Sequence, residues 1–157
     1  MFFIGIITNQ KNEIYIKKEL VNLLSEDNII FFNDKNINYL KNIQFDTLLI
    51  DSNLKEKEKE LRKVISNSKN IILNSDIEYN KKLIDNLNLM VITYGFNNKA
   101  TFTVSSIDNN KAIICLQRII FNENNEEIEP SEYEVKLDQN VDKYAIIGTK
   151  IINIIYK

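Results

Sequence analysis

Short apolar runs recur along the chain up to Gly95: MFFIGII, NIIFF, TLLID, NIILN and LMVITYG. Their apolar residues are consecutive rather than alternate, the mark of strands covered on both faces. Helical patterns lie between them. Residues 13–25 place Ile16, Leu20, Leu23 and Leu24 on one side, and residues 54–66 place Leu54, Leu61, Val64 and Ile65 inside, with Glu58 and Arg62 as an i,i+4 pair. The run KEKEKE at 55–60 then reads as a solvated helix face. Strand–helix alternation of this kind predicts a parallel sheet with right-handed crossovers in a three-layer α/β core.

After Gly95 the rhythm changes. TFTVSSI, KAIICLQRIIF and YEVKL read as strands joined by polar loops, DNN at 108–110 and 122–130 with Pro130, which predicts an antiparallel β meander. Asn-rich stretches such as NENN at 122–125 are turn material. Residues 141–155 carry Val141, Tyr144, Ala145, Gly148, Ile151, Ile152 and Ile155 at helical spacing, so a terminal helix is expected to dock on the core, Gly148 allowing close approach. No repeat or flexible linker divides the chain. Residues 1–157 are expected to form a single domain, a parallel part at 1–95 and a meander plus terminal helix at 96–157 in one cooperative unit.

Composition narrows the function classes. In 157 residues the net charge is −2, with a pI near 5.3 and Lys and Glu interspersed, so no basic face is expected for nucleic acid or an anionic membrane. No run approaches the roughly 18 apolar residues of a membrane span, and MFFIGII lacks the features of a signal peptide, which predicts a cytoplasmic protein. The single Cys115, in the apolar run AIICL, excludes an internal disulfide and reads as a buried structural thiol. There is no histidine. That removes Ser–His and Cys–His nucleophile pairs, the commonest general base near neutral pH, and any His-containing zinc site.

The stretch IGIITNQKNE, Ile4 to Glu13, keeps the spacing of a phosphate-binding loop and alters its chemistry. In strand–GxxxxGK[ST]–helix, glycines let backbone N–H groups wrap a phosphate, the Lys reaches the β/γ-phosphates, and the hydroxyl holds Mg²⁺. Gly5 and Lys11 keep that spacing. Gln10 stands at the second glycine, Asn12 at the hydroxyl, and Glu13 brings negative charge to a helix N-terminus. As a plain reading, these residues form a first strand and turn.

Three segments together resemble the central, ATP-binding domain of the Mur ligases, which join amino acids to the peptidoglycan precursor. IGIITNQKNE resembles that family's strand and loop ending in TNGKTT; NIILNSD at 70–76 resembles its strand ending in an Asn-x-Asp motif; VITYGFNNKATFTVSSI at 91–107 resembles the Tyr-Gly strand that opens its small antiparallel sheet. The terminal stretch 141–155 falls where the family has a helix. The similarity covers nearly the whole chain in patches, and the family's flanking domains for the UDP-sugar and the incoming amino acid are expected to be missing.

Carried over residue by residue, the resemblance mostly records loss. Lys11 matches the loop lysine, while Gln10 and Asn12 depart from the Gly and Thr beside it. Asp51 falls near the family's Mg²⁺-binding glutamate, or is simply a polar residue where a strand meets its loop. Asn74 and Asp76 match the motif near adenine and ribose, or serve as a turn or helix cap. With Tyr94 these residues make a vestigial or weak nucleotide site. No metal and no cofactor is expected, and no catalytic residue. The resemblance thus implies a non-catalytic domain that binds a protein partner or itself, in a regulatory role linked to cell-wall physiology. The alternative is a sensor that binds a nucleotide or wall precursor at the C-terminal ends of the strands, lined by Asn74, Asp76 and Tyr94. A phosphoacceptor receiver with Asp51 as acceptor ranks last, because ITNQ lacks the acidic pair such a domain needs after its first strand.

Overall fold

Consecutive β-branched and leucine residues leave no polar face to turn to water, so the strands assemble in the middle of the molecule. The computed structural model describes residues 3–85 and 87–157; the first two residues of the MFFIGII run lie outside the described residues. Strands β1 (Ile4–Ile7), β2 (Ile29–Phe31), β3 (Phe45–Ile50), β4 (Ser68–Asn74) and β5 (Met90–Gly95) pair in parallel. Helices α1 (Glu13–Leu20), α2 (Ile37–Leu40), α3 (Glu58–Ser66) and α4 (Glu78–Leu83) connect them. Strands β6 (Phe102–Ile107), β7 (Lys111–Leu116) and β10 (Glu132–Lys136) extend the same sheet, which runs β10-β7-β6-β5-β4-β3-β1-β2. Its parallel part has the doubly wound order 2-1-3-4-5.

Alternate residues of each strand feed two separate cores. Ile4, Ile6, Leu49, Ile72, Ile92 and Tyr94 face Ile16 and Leu20 of α1 and the inner side of α5 (Lys143–Ile155). Ile7, Leu48, Ile50, Ile71 and Leu73 face Ile37, Leu61, Val64, Ile65 and Leu83 of the other three helices. This is the expected three-layer arrangement. The first of these cores also takes in Phe102, Ile114, Leu116 and Val135, so α5 bridges the parallel and antiparallel parts. Among the described residues no helix covers the far side of β7 and β10, and Glu132, Glu134 and Lys136 stand exposed there.

Several local expectations change. The periodicity at 13–25 continues beyond α1, which ends at Leu20; Leu24 is still buried, but as part of a turn. Residues 55–57 form a short 3₁₀ turn before α3, and the exposed face there carries the Glu58–Arg62 pair at 3.7 Å. The meander is antiparallel from β6 to β7 and from β7 to β10, while β6 meets β5 in parallel, over only Tyr94↔Phe102 and Gly95↔Thr103. The reason is that 96–101 does not reverse the chain. It swings out to Asp76 and returns, held by Thr101 N donating to Thr93 Oγ1 at 3.0 Å. The run KAIICLQRIIF breaks after Leu116, because Gln117 and Arg118 turn to donate to the carbonyls of Ala100 (2.6 Å) and Lys99 (2.8 Å). The loop 122–130 turns back on the end of that run, its β9 (Glu127–Ile128) pairing with β8 (Ile120–Phe121) in a hairpin that has Asn125 at φ 61° in its turn. Cys115 is half-buried on the open side of β7, not enclosed in the core. Among the described residues no helix is long and apolar enough to cross a membrane.

Candidate functional site at the C-terminal ends of the strands

The loop after β1 keeps ordinary backbone geometry. Asn9 is extended (φ −67°, ψ 139°), Gln10–Asn12 make one 3₁₀ turn, and α1 follows directly. The only described non-glycine residue with positive φ is Asn125, so no left-handed residue turns successive amides toward one point here, as a phosphate nest requires. The Asn12 amide is used locally, donating to Asn9 O at 2.9 Å.

The side chains of this loop converge instead on Asp142, just before α5. Lys11 Nζ lies 2.8 Å from its carboxylate, Asn12 Nδ2 donates to it at 3.0 Å and Asn9 Nδ2 at 3.2 Å. The Asp142 amide returns a bond to Asn12 Oδ1 at 3.1 Å. Lys11, then Asn12 and Asn9, hold the Asp142 carboxyl below the usual carboxylate range against a smaller opposing effect of burial. Lys11 is exposed, so the ion pair itself contributes little. The reciprocal amide bonds of Asn12, which is fully buried, fix the geometry.

Asn12 Nδ2 also donates to Thr8 Oγ1 at 3.1 Å, and Thr8 donates to Asp51 Oδ2 at 2.8 Å. Asp51 ends β3 at 4% exposure and accepts a second bond from Tyr94 OH at 3.0 Å on Oδ1. Burial pushes its carboxyl up to about 6; the Thr8 and Tyr94 bonds oppose the rise and the Asp142 charge adds to it. Burial, then the Asp51 charge, pushes the fully buried Tyr94 hydroxyl well above its ordinary value. Gly148 makes this possible: a Cβ there would lie 2.8 Å from both Tyr94 OH and Leu49 Cδ1, so α5 could not settle over the pair.

Asp76 is held very differently. Its carboxylate accepts from Phe96 N (2.7 Å), Asn97 N (3.2 Å), Asn97 Nδ2 (2.7 Å) and Tyr144 OH (2.7 Å). Burial acts to raise its pKa, but these donors outweigh it and the carboxyl sits below its ordinary value. Asn74 Oδ1 accepts from Asp76 N at 3.1 Å, while Asn74 Nδ2 donates to Asp51 O at 3.1 Å. A Cβ on Gly95 would run into the Asp76 carboxylate. The Asn-Ser-Asp and Tyr-Gly segments are therefore two halves of one polar junction.

A cleft of ≈ 750 Å³ opens beside this network, between the ends of β3 and β4, the 107–109 turn and the approach to α5. Of the residues singled out in the sequence, Asn74 and Asp51 line it; Lys11, Asp76 and Tyr94 are not among its lining residues. Lys11 is committed to Asp142, Asp76 to its four donors, and Tyr94 to Asp51. Sequence reasoning missed Asp142 and Tyr144, which close the network from 130 and 68 residues away. The only signal for them was their position at the start of the predicted terminal helix. Comparison with protein-family models finds no match, and comparison with curated proteins finds none either.

Proposed function

We propose that this chain is a non-catalytic regulatory domain resembling the Mur-ligase central domain, acting in cell-wall physiology by binding a partner rather than by turnover. One observation carries the reading: the side chains that would face a phosphate, Lys11 and Asn12, are held by the chain's own Asp142. The loop does not fit a triphosphate with Mg²⁺. It has no amide cradle, its hydroxyl position is an amide already bonded to two groups, and a carboxylate stands where negative charge would have to enter.

Thermal unfolding with ATP, ADP or a UDP-linked wall precursor, each with and without Mg²⁺, tests this. A ligand at about 100 times its dissociation constant stabilises a native state by about 2.7 kcal/mol, worth several degrees in a domain of this size. We expect no such shift at millimolar nucleotide and no ATP hydrolysis above background. Hydrolysis that disappears in Lys11→Ala would overturn the proposal.

The cleft favours a second reading, a small-molecule sensor. It sits outside the C-terminal ends of the strands, where open α/β sheets place their ligands, and it has a buried titratable carboxylate at its base.

A further inference from the structure

We propose that the cleft beside Asp51 is a site for an aliphatic ammonium, a protonated amine on an apolar stem. This rests on the small-molecule reading and names its ligand class. The cleft's volume suits a metabolite rather than a single ion or water. Asp51 forms its base, almost wholly buried, with a hydroxyl on each oxygen and, among the described residues, no ammonium or guanidinium as a partner. Asp108, Asp138 and Asp142 stand on its walls.

Asp142 is bound by Lys11 and Asp108 has Lys111 near it, but Asp51 and Asp138 stand in no ion pair among the described residues. Lys11 is spent on Asp142, and Lys143, the one basic residue of the lining, lies over the Phe96 ring at 5.2 Å from its centroid. Such a wall attracts positive charge and repels phosphates and carboxylates. Among the described residues no group of three metal-ligating side chains is arranged to hold a metal ion, and an ammonium needs only hydrogen-bond acceptors. Ile107, Leu137 and Val141 supply an apolar wall for the stem. The groups facing Asp51, namely Thr8, Tyr94, Tyr144 and Asp142, bring no positive charge of their own, so an arriving ammonium supplies the cation that Asp51 lacks.

Calorimetric titration of the full chain with 1,5-diaminopentane and with spermidine tests the proposal, with N-acetyl-lysine N-methylamide standing for a lysine side chain of a protein. Glutarate and matched NaCl are the controls. The expected result is saturable binding of the amines at about millimolar concentration or below, with no response to glutarate. Losing one charge-assisted partner should weaken it about tenfold in Asp51→Asn. Asp138→Asn, an exposed change that leaves the core intact, should weaken it severalfold, and the distant Glu56→Gln should not. Binding of the lysine amide but not the free amines would assign the site to a protein side chain and overturn the metabolite form. Amine heats reproduced by NaCl, or unchanged in both Asp variants, overturn the ammonium site altogether. If the amines fail while glutarate or a UDP-linked precursor binds and that binding is lost in Asp138→Asn, the ammonium inference falls and the sensor reading stands. If nothing binds, both fall.

Discussion

Asp51 and Asp76 follow neighbouring strands of one sheet, and the two regions treat a carboxylate in opposite ways. At the end of β3, Asp51 is almost wholly buried at the base of the cleft with two hydroxyl donors, and burial dominates. At the end of β4, Asp76 is less enclosed and collects four donors, two of them backbone amides, and hydrogen bonding dominates. Donor supply relative to desolvation therefore decides which charge is comfortable. The comfortable carboxylate ties the 96–97 loop and Tyr144 together. The uncomfortable one faces the cleft. A carboxylate whose charge is costly to the fold and that borders a cleft is the one of the two suited to meeting a ligand.

The comparison breaks most visibly at Asp76. Asp76→Ala leaves two backbone amides, an Asn97 amide and the Tyr144 hydroxyl without their acceptor, and should cost about 2–4 kcal/mol, measured by urea unfolding at pH 7. A loss under about 1 kcal/mol would show that water replaces the carboxylate there and that the junction is not structural.

Asp51→Asn should act in the other direction. Its carboxyl rises from 3.8 to about 6 on folding, so its favourable contribution is complete below about pH 4 and is lost as pH climbs through about 6. That rise corresponds to about 3 kcal/mol at neutral pH, an order-of-magnitude figure. The Asn variant should be about 1–2 kcal/mol more stable than the parent at pH 7.5, since its amide can still donate to Thr8 and accept from Tyr94. It should also lose the fall in stability between about pH 4 and pH 6. Asp76 contributes with the opposite sign, its stabilisation present at neutral pH and lost on acidification. Parallel pH–stability curves for parent and Asp51→Asn would remove the contrast.

The smallest effect belongs to Lys11→Ala. The Lys11 side chain is 60% exposed and the Asn9 and Asn12 amides continue to hold Asp142, so the change should cost under about 0.5 kcal/mol. A larger loss in the same unfolding assay would mean that charge, not the buried Asn12 amide, holds the loop to α5.

Much of the scaffold was legible in the residues. The five apolar runs, the inward faces of α1 and α3, the turn residues Asp108 and Asn122, and the docking of α5 through Gly148 all follow from spacing and side-chain size, which act over a few residues. Asn74 was also legible as a cleft residue, because strand ends in an open α/β sheet point where ligands bind, whereas Asp76 and Tyr94, expected beside it, lie off the lining and Asp51 was read as a strand-end polar group. The parallel β5–β6 pairing was not. It depends on Asp76 holding the Phe96 and Asn97 amides, a contact across twenty residues or more.

What the sequence determined by itself is the covered sheet and the absence of a phosphate nest. Runs of Ile and Leu must be buried on both sides, and Gln10 and Asn12 favour ordinary backbone where a cradle needs glycine. Only the tertiary structure decided what became of the polar residues. Lys11 looks free in the sequence and is bound to Asp142; Asp76 and Tyr94 look like ligands for a nucleotide and are bound to the chain itself. A hydrogen bond depends on the distance and angle between two groups, and groups separated by 43 to 130 residues acquire those only when the sheet and α5 have closed around them.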